Sequence, residues 1–140
     1  SASNDGSHML AEARQAMLLA RLRAGVEGAS LSGEAAPPIM TAREVLEVAT
    51  RGGAAVLGRS DIGSLEVGKC ADFIAYDLGR LEFSGGLHDP VAALLFCNPV
   101  NVDYSIVGGR TIVRRGELLT LNVAEHVAKH NRAARRLLEG

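Results

Sequence analysis

The stretch Asp61-Ile-Gly-Ser-Leu-Glu-Val-Gly-Lys-Cys-Ala-Asp-Phe-Ile74 decides how the fold is read. Within it, Gly63 to Cys70 comes one residue short of the phosphate-binding pattern GxxxxGK[ST]. That chemistry requires a hydroxyl at the last position to hold magnesium, and Cys70 offers a thiol. It also requires a strand before the loop and a helix after it, so that helix N–H groups face the phosphate. Here the order is reversed. Helical periodicity precedes the loop, and Ala71 to Asp77 (ADFIAYD), rich in aromatic and branched residues, reads as a strand after it. The segment is therefore a glycine-bounded turn that feeds a strand. Asp72 is placed to accept backbone hydrogen bonds from the Gly68 turn.

Toward the N-terminus, Thr41-Ala-Arg-Glu44 is a capping box in which hydroxyl and carboxylate each satisfy an orphan backbone donor. Val45, Val48, Ala49, Gly52 and Val56 then trace one helical face, and Gly58 closes it. Gly52-Gly53 either weakens this helix in its middle or lets another backbone come close. Residues 26–40, small and polar with Pro37-Pro38, read as a loop. Before them, Met9, Leu10, Ala13, Met17, Ala20 and Ala24 recur at helical spacing, with Asp5 or Ser7 as cap and Gly25 as stop. The chain opens on Ser1, has no Met before Met9, and reads as a sequence that starts in the middle of something.

Toward the C-terminus, Asp89-Pro90 sets a capping acid before a proline, which predicts a short helix over 90–97. Val102, Tyr104 and Ile106 alternate with polar neighbours as in a half-buried strand. Gly108-Gly109 predicts a two-residue hairpin turn, because both positions can take positive φ. Thr111 to Arg115 is the returning strand, and Gly116 turns the chain again. Asn122 with Glu125 caps a last helix over roughly 123–138, bearing Val123, Val127, Ala134 and Leu138. The best boundary between parts falls near residues 58–62, where helical pattern gives way to strands.

Composition narrows the function. The chain has 140 residues, 47% apolar, and a net charge of -1. That balance excludes a nucleic-acid binder, which needs clustered Lys and Arg. The basic residues Lys129, Arg132, Arg135 and Arg136 stand beside Glu125 and Glu139 at helical spacing and read as a solvated face. Cys70 and Cys97 have no short spacing, so they read as free thiols in a reducing cytoplasm. No apolar run has the length of a membrane span, and no signal peptide is present, so the expected location is cytoplasmic.

Candidate chemistry is sparse. His126 and His130 lie four apart on the last predicted helix and could face one metal. Val127 stands where a zincin would have Glu, and no third ligand is evident, so the residues favour a pair of solvated helix histidines. His8 and His88 are lone loop or cap residues. Asp5, Asp61, Asp72, Asp77 and Asp89 are scattered, and Asp5 and Asp89 read as caps. No Ser sits in a GxSxG elbow, and neither Cys has a neighbouring His in sequence. The residues alone offer no active site.

The stretch from Asp61 to Ile74 closely resembles a signature of the amidohydrolase superfamily, G-S-L-x-x-G-K-x-A-D, where the family's chain leaves a barrel and enters a small β-domain. Thr41 to Gly58 (TAREVLEVATRGGAAVLG) resembles the family's late helix. Asp89-Pro90 with Leu94 to Pro99, then Val102 to Gly116, resembles its closing hairpin. Ser1 to Leu10 (SASNDGSHML) resembles the loop after the last barrel strand in the subgroup of s-triazine hydrolases and guanine-type deaminases. The wording of His88 to Cys97 is most similar to 8-oxoguanine deaminases.

The resemblance implies an α/β fold: the last helices of a TIM-type (β/α)8 metal-dependent hydrolase barrel plus the C-terminal part of a small composite β-domain. The implied division is 1–58 for the barrel's end, 59–121 for the β-domain segment and 122–140 for a terminal helix. It implies a C-terminal portion of a metal-dependent aminohydrolase that deaminates a purine-like or triazine-like ring. In the full-length parent a zinc or iron ion would activate water, since a bound metal lowers its pKa. The family's histidine ligands and metal-binding aspartate would lie before Ser1, and Asp5 stands beyond that aspartate. No catalytic or metal role transfers to any residue here, no metal is expected to bind this chain, and the chain alone is expected to be inactive. Ser1, Ser3 and Asn4 would at most line the rim of the parent's site. Implied partners are a small heterocyclic substrate, the missing N-terminal part of the enzyme and further copies in a homo-oligomer, with neither nucleic acid nor membrane. The alternatives are a non-catalytic interaction domain, or part of another amidohydrolase of dihydroorotase-like or urease-like type.

Overall fold

The structure, a computed structural model, describes residues 8–30, 39–97 and 101–139. The chain divides into two compact units. Ser1–Lys69 with Asp77–Val100 forms a helical one, and Cys70–Tyr76 with Asn101–Gly140 forms one of strands and a last helix.

In the helical unit, α1 (Met9–Ser30) buries most of the face expected of it: Ala13 and Met17 are buried, with Leu10, Ala20 and Ala24 half-buried beside them, while Met9 at the helix start is 67% exposed. Gly25 does not stop this helix, contrary to the sequence expectation, so the loop starts later than residue 26. Glycine inside a helix costs only about 1 kcal/mol against alanine, and the Arg23–Glu27 ion pair at 2.6 Å spans Gly25. At the other end, the Ala11 N–H donates to His8 Nδ1 at 3.2 Å, so an imidazole caps the first turn. Asp5 and Ser7, the expected caps, lie outside the described residues.

The second helical stretch runs as α2 (Ala42–Glu47), a π-helical turn (Val48–Gly52) and α3 (Gly53–Val56). Its capping box is present: the Glu44 N–H donates to Thr41 Oγ1 at 3.2 Å, and the Thr41 N–H to Glu44 Oε2 at 2.6 Å. The wide turn inserts one extra residue, so each later residue takes its predecessor's direction. Ala54 is therefore buried, and Val56, expected on the inner face, is 88% exposed. Val48 also points outward, since Ala42, Val45 and Ala49 define the packed stripe.

Next comes α4 (Pro90–Phe96), begun by Asp89, whose carboxylate accepts the Val91 and Ala92 N–H groups at 3.1 Å each. Leu95 from α4 joins Ala13, Met17, Ala42 and Val45 in one core cluster. Arg21 ties the edges: its Nε donates to the Met40 carbonyl at 2.9 Å, and its guanidinium carbon lies 5.3 Å from the Phe96 ring centre. Phe83, in the short 3-10 turn Leu81–Phe83, is fully buried, a core position the sequence reading missed.

The other unit is a four-stranded antiparallel sheet in the order β1 (Phe73–Ala75), β2 (Tyr104–Val107), β3 (Arg110–Arg114) and β4 (Glu117–Leu118). The hairpin at Gly108-Gly109 is as expected, with φ of 55° and 75°. A bulge at Ser105/Ile106 shifts the β2–β3 register. Strand β1 is shorter than the seven-residue segment read as strand, and β4, which follows the Arg115-Gly116 turn, was not foreseen. Asp72 does not serve the Gly68 turn. Its carboxylate accepts the Gly108 N–H at 2.6 Å, pinning the tip of the hairpin. α5 (Val123–Glu139), capped by Asn122, buries no side chain. Among the described residues, no helix is long and apolar enough to cross a membrane.

Candidate functional site

The glycine-rich turn is the first place to look for chemistry. Gly63, at φ 89°, lies against the helix before it: a Cβ there would meet Ala54 Cβ at 2.9 Å and the Thr50 carbonyl oxygen at 3.1 Å. The close approach comes from Gly63, while added Cβ atoms at Gly52 and Gly53 would meet nothing closer than 3.6 Å. Lys69, the residue a phosphate would need, is held by its own loop. Its Nζ donates to Ser64 Oγ at 2.5 Å and to Glu66 Oε1 at 3.1 Å. Arg51 approaches Glu66 at 3.9 Å from the helix. The Ser64 hydroxyl, then Lys69, hold the Glu66 carboxyl below the usual carboxylate range. This loop satisfies itself and docks on a helix backbone, which makes it a structural turn.

The scattered acids have local jobs. Asp61 pairs with Arg59 at 2.6 Å, Asp77 accepts the Gly79 N–H at 2.9 Å, Asp89 caps α4, and Asp72 holds the hairpin. His88 is exposed in the turn before α4, and Cys70 and Cys97 are half-buried. His126 and His130 stack on α5 with ring centres 6.3 Å apart. Among the described residues, no three His, Cys, Asp or Glu side chains gather to hold a metal ion. The described residues therefore do not fit the zinc or iron centre that the sequence resemblance implies. Ser1, Ser3 and Asn4, the residues of the implied rim, lie outside the described residues.

One groove, of about 380 Å³, lies along α1 and is lined by Ala11, Arg14, Gln15, Leu18, Leu19 and Leu22. All six come from a single helix, so the groove has one wall. Arg14 Nε is buried in it with no hydrogen-bond partner, which is costly unless a further acceptor is supplied.

Residues 1–112 match the Amidohydrolase family. The chain belongs to the amidohydrolase family. It is 45% identical over 140 residues to an 8-oxoguanine deaminase of Pseudomonas aeruginosa, covering all of this chain and 28% of that protein. It is 37% identical over 142 residues to a hydroxydechloroatrazine ethylaminohydrolase of Pseudomonas sp. strain ADP, covering 99% of this chain and 27% of that one. Among solved structures it matches atrazine chlorohydrolase TrzN from Arthrobacter aurescens TC1, complexed with zinc, at a TM-score of 0.80 and 32% identity. That match covers 94% of this amidohydrolase chain and 27% of TrzN. The chain thus spans under a third of the length of these relatives. The superfamily resemblance read from Asp61 to Ile74 is confirmed.

Proposed function

We propose that this chain is the C-terminal portion of a metal-dependent aminohydrolase that hydrolytically removes an amino group from a purine-like or triazine-like ring, in the manner of an 8-oxoguanine deaminase. The observation that carries the reading is the end-to-end similarity to an 8-oxoguanine deaminase, 45% over the whole chain. The other relatives, a triazine ethylaminohydrolase and a zinc-bound atrazine chlorohydrolase, support a nitrogen heterocycle as substrate and zinc as the metal, with iron as the alternative. In this reading residues 1–58 close a TIM-type barrel, 59–121 form part of a composite β-domain, and 122–140 are a terminal helix. The metal ligands belong to residues outside those described. The N-terminal part of the enzyme is the chain's first partner, and the whole is a cytoplasmic homo-oligomer.

The one-walled groove on α1 supports this assignment, because Leu18, Leu19 and Leu22 form an apolar face of the kind a barrel helix turns inward. The test compares the pure chain with the longer polypeptide of its own reading frame, each supplied with zinc. Ammonia release is followed from 8-oxoguanine, guanine and an amino-triazine. The longer protein is expected to release ammonia and the chain alone none. Zinc-dependent release by the pure chain would overturn the reading, as would inertness of the longer protein toward all three rings.

A further inference from the structure

Helix α5 is 17 residues long and buries no side chain. Isolated helices shorter than about 12–15 residues are marginal in water, and most helical stability comes from a packed face. α5 thus stands near the limit of what local interactions sustain, and its Asn122 cap supplies only one of them. On its surface His126 and His130 are one turn apart, with ring centres 6.3 Å apart and planes 14° from parallel. Both side chains are exposed, and among the described residues neither imidazole is engaged by a hydrogen bond or an ion pair.

Two imidazoles at this spacing suit a divalent ion of borderline softness. Metal–nitrogen bonds of about 2.0–2.1 Å place the two nitrogens roughly 2.9–3.4 Å apart, from the right angle that nickel and copper favour to the tetrahedral angle of zinc. The stacked rings reach that distance by side-chain rotation alone, since nothing covers them. Lys129 is the nearest cation and flanks the pair at roughly 60–100° around the helix, while Arg132 falls on roughly the opposite side. We propose that His126 and His130 form an exchangeable two-imidazole chelate for a divalent ion of the nickel, copper or zinc class, with water completing the coordination. The bound ion staples one turn of α5 and raises its helix population. The site is too open and too poor in ligands to be a hydrolytic centre, and it does not depend on the aminohydrolase reading.

The test titrates the whole chain with Ni2+, following heat of binding and far-ultraviolet helix signal together. One ion per chain is expected, with helix signal rising in step. His126→Ala and His130→Ala are each expected to weaken binding by about tenfold or more, because a chelate loses the high effective concentration of its second ligand. Both positions are exposed and alanine favours helix, so the variants keep their fold. His88→Ala and the Cys70→Ser/Cys97→Ser pair are expected to leave binding and helix gain unchanged. The proposal fails if no saturable binding occurs, if only one histidine substitution weakens it, or if the thiol or His88 variants abolish it.

Discussion

The two units of this chain are held together by different forces. In the helical unit Phe83, Met17, Leu95 and Val45, from the 3-10 turn, α1, α4 and α2, are shielded to below 2% exposure. In the strand unit, among the described residues, none is buried, and Ile74 is 52% and Leu138 88% exposed. The sheet rests on ladder hydrogen bonds, two hairpin turns and the Asp72 carboxylate at the first of them. Sheets generally need a hydrophobic face packed on something to be stable alone. The comparison teaches that regular backbone is no sign of self-sufficiency. The helical unit contains its own driving force, and the strand unit displays apolar surface that a cover would use.

The sharpest way to break this contrast is to remove one buried and one half-buried side chain. Met17→Ala empties part of the core cluster and is expected to cost about 2–5 kcal/mol. Ile106→Ala in β2 is expected to cost under about 1.5 kcal/mol, because little transfer free energy is lost where water already reaches. Urea denaturation and amide exchange read both. Equal costs, or equal protection of amides in the two units, would erase the distinction.

A glycine pair sharpens it next. Gly63 and Gly108 both have positive φ, 89° and 55°, so an added Cβ is strained at each by about 1–3 kcal/mol. Only Gly63 has its space occupied, by Ala54 Cβ at 2.9 Å, whereas an added Cβ at Gly108 meets nothing within 4 Å. Gly63→Ala is therefore expected to exceed Gly108→Ala by the cost of moving a helix backbone, at least about 1 kcal/mol. Thermal melts of the two variants measure that difference directly. Matching melts would mean that the loop-on-helix contact contributes nothing.

What the sequence disclosed follows the same division between local and non-local causes. Thr41 with Glu44, Asp89 with Pro90, and Gly108-Gly109 act within four residues of one another, so spacing alone located the two helix starts and the turn. Gly25 misled because a glycine stop is only a tendency: glycine costs a helix interior about 1 kcal/mol, which the packed face of α1 outweighs. The π turn left no mark in the hydrophobic pattern except a Val56 that faces the wrong way. Phe83 lies in a stretch without periodicity, and β4 has two residues, too few to show alternation. Of a reaction centre the residues promised nothing, and Asp61, Asp72, Asp77 and Asp89 are engaged in an ion pair, a hairpin contact, a turn and a cap. Family membership was legible because a glycine-bounded turn docked on a helix demands specific residues in order, and Gly63 shows the steric reason.

A smaller effect is expected at the α2 cap. Thr41→Ala removes the hydroxyl that accepts the Glu44 N–H and is expected to cost about 1 kcal/mol. Hydrogen bonds from the Thr41 backbone N–H, then from its hydroxyl, hold the Glu44 carboxyl below its ordinary value. A lowered folded-state value means that stability from this group is present above the ordinary carboxylate range and is lost as pH falls through the folded value. The gap between wild type and Thr41→Ala is thus expected to be full at neutral pH and to narrow in acid. A gap that widens in acid would reverse the sign of this coupling.

The smallest effect is the most informative about what the strand unit lacks. Val127 sits half-exposed on the apolar stripe of α5 with Val123, Ala134 and Leu138, and packs into no core. Val127→Ser in this chain is expected to change stability by no more than about 0.5 kcal/mol, as surface substitutions do. In the longer polypeptide, a cover over the same stripe would bury that valine, and the same change would then cost about 1.5–3 kcal/mol. Chemical denaturation of both proteins, with and without the substitution, gives the two numbers. A near-zero cost in both would mean that α5 faces water even in the longer polypeptide. Its stripe would then need a partner of another kind. A large cost in the chain alone would mean that the helix already packs on something, and the contrast between a self-sufficient unit and an uncovered one would fall.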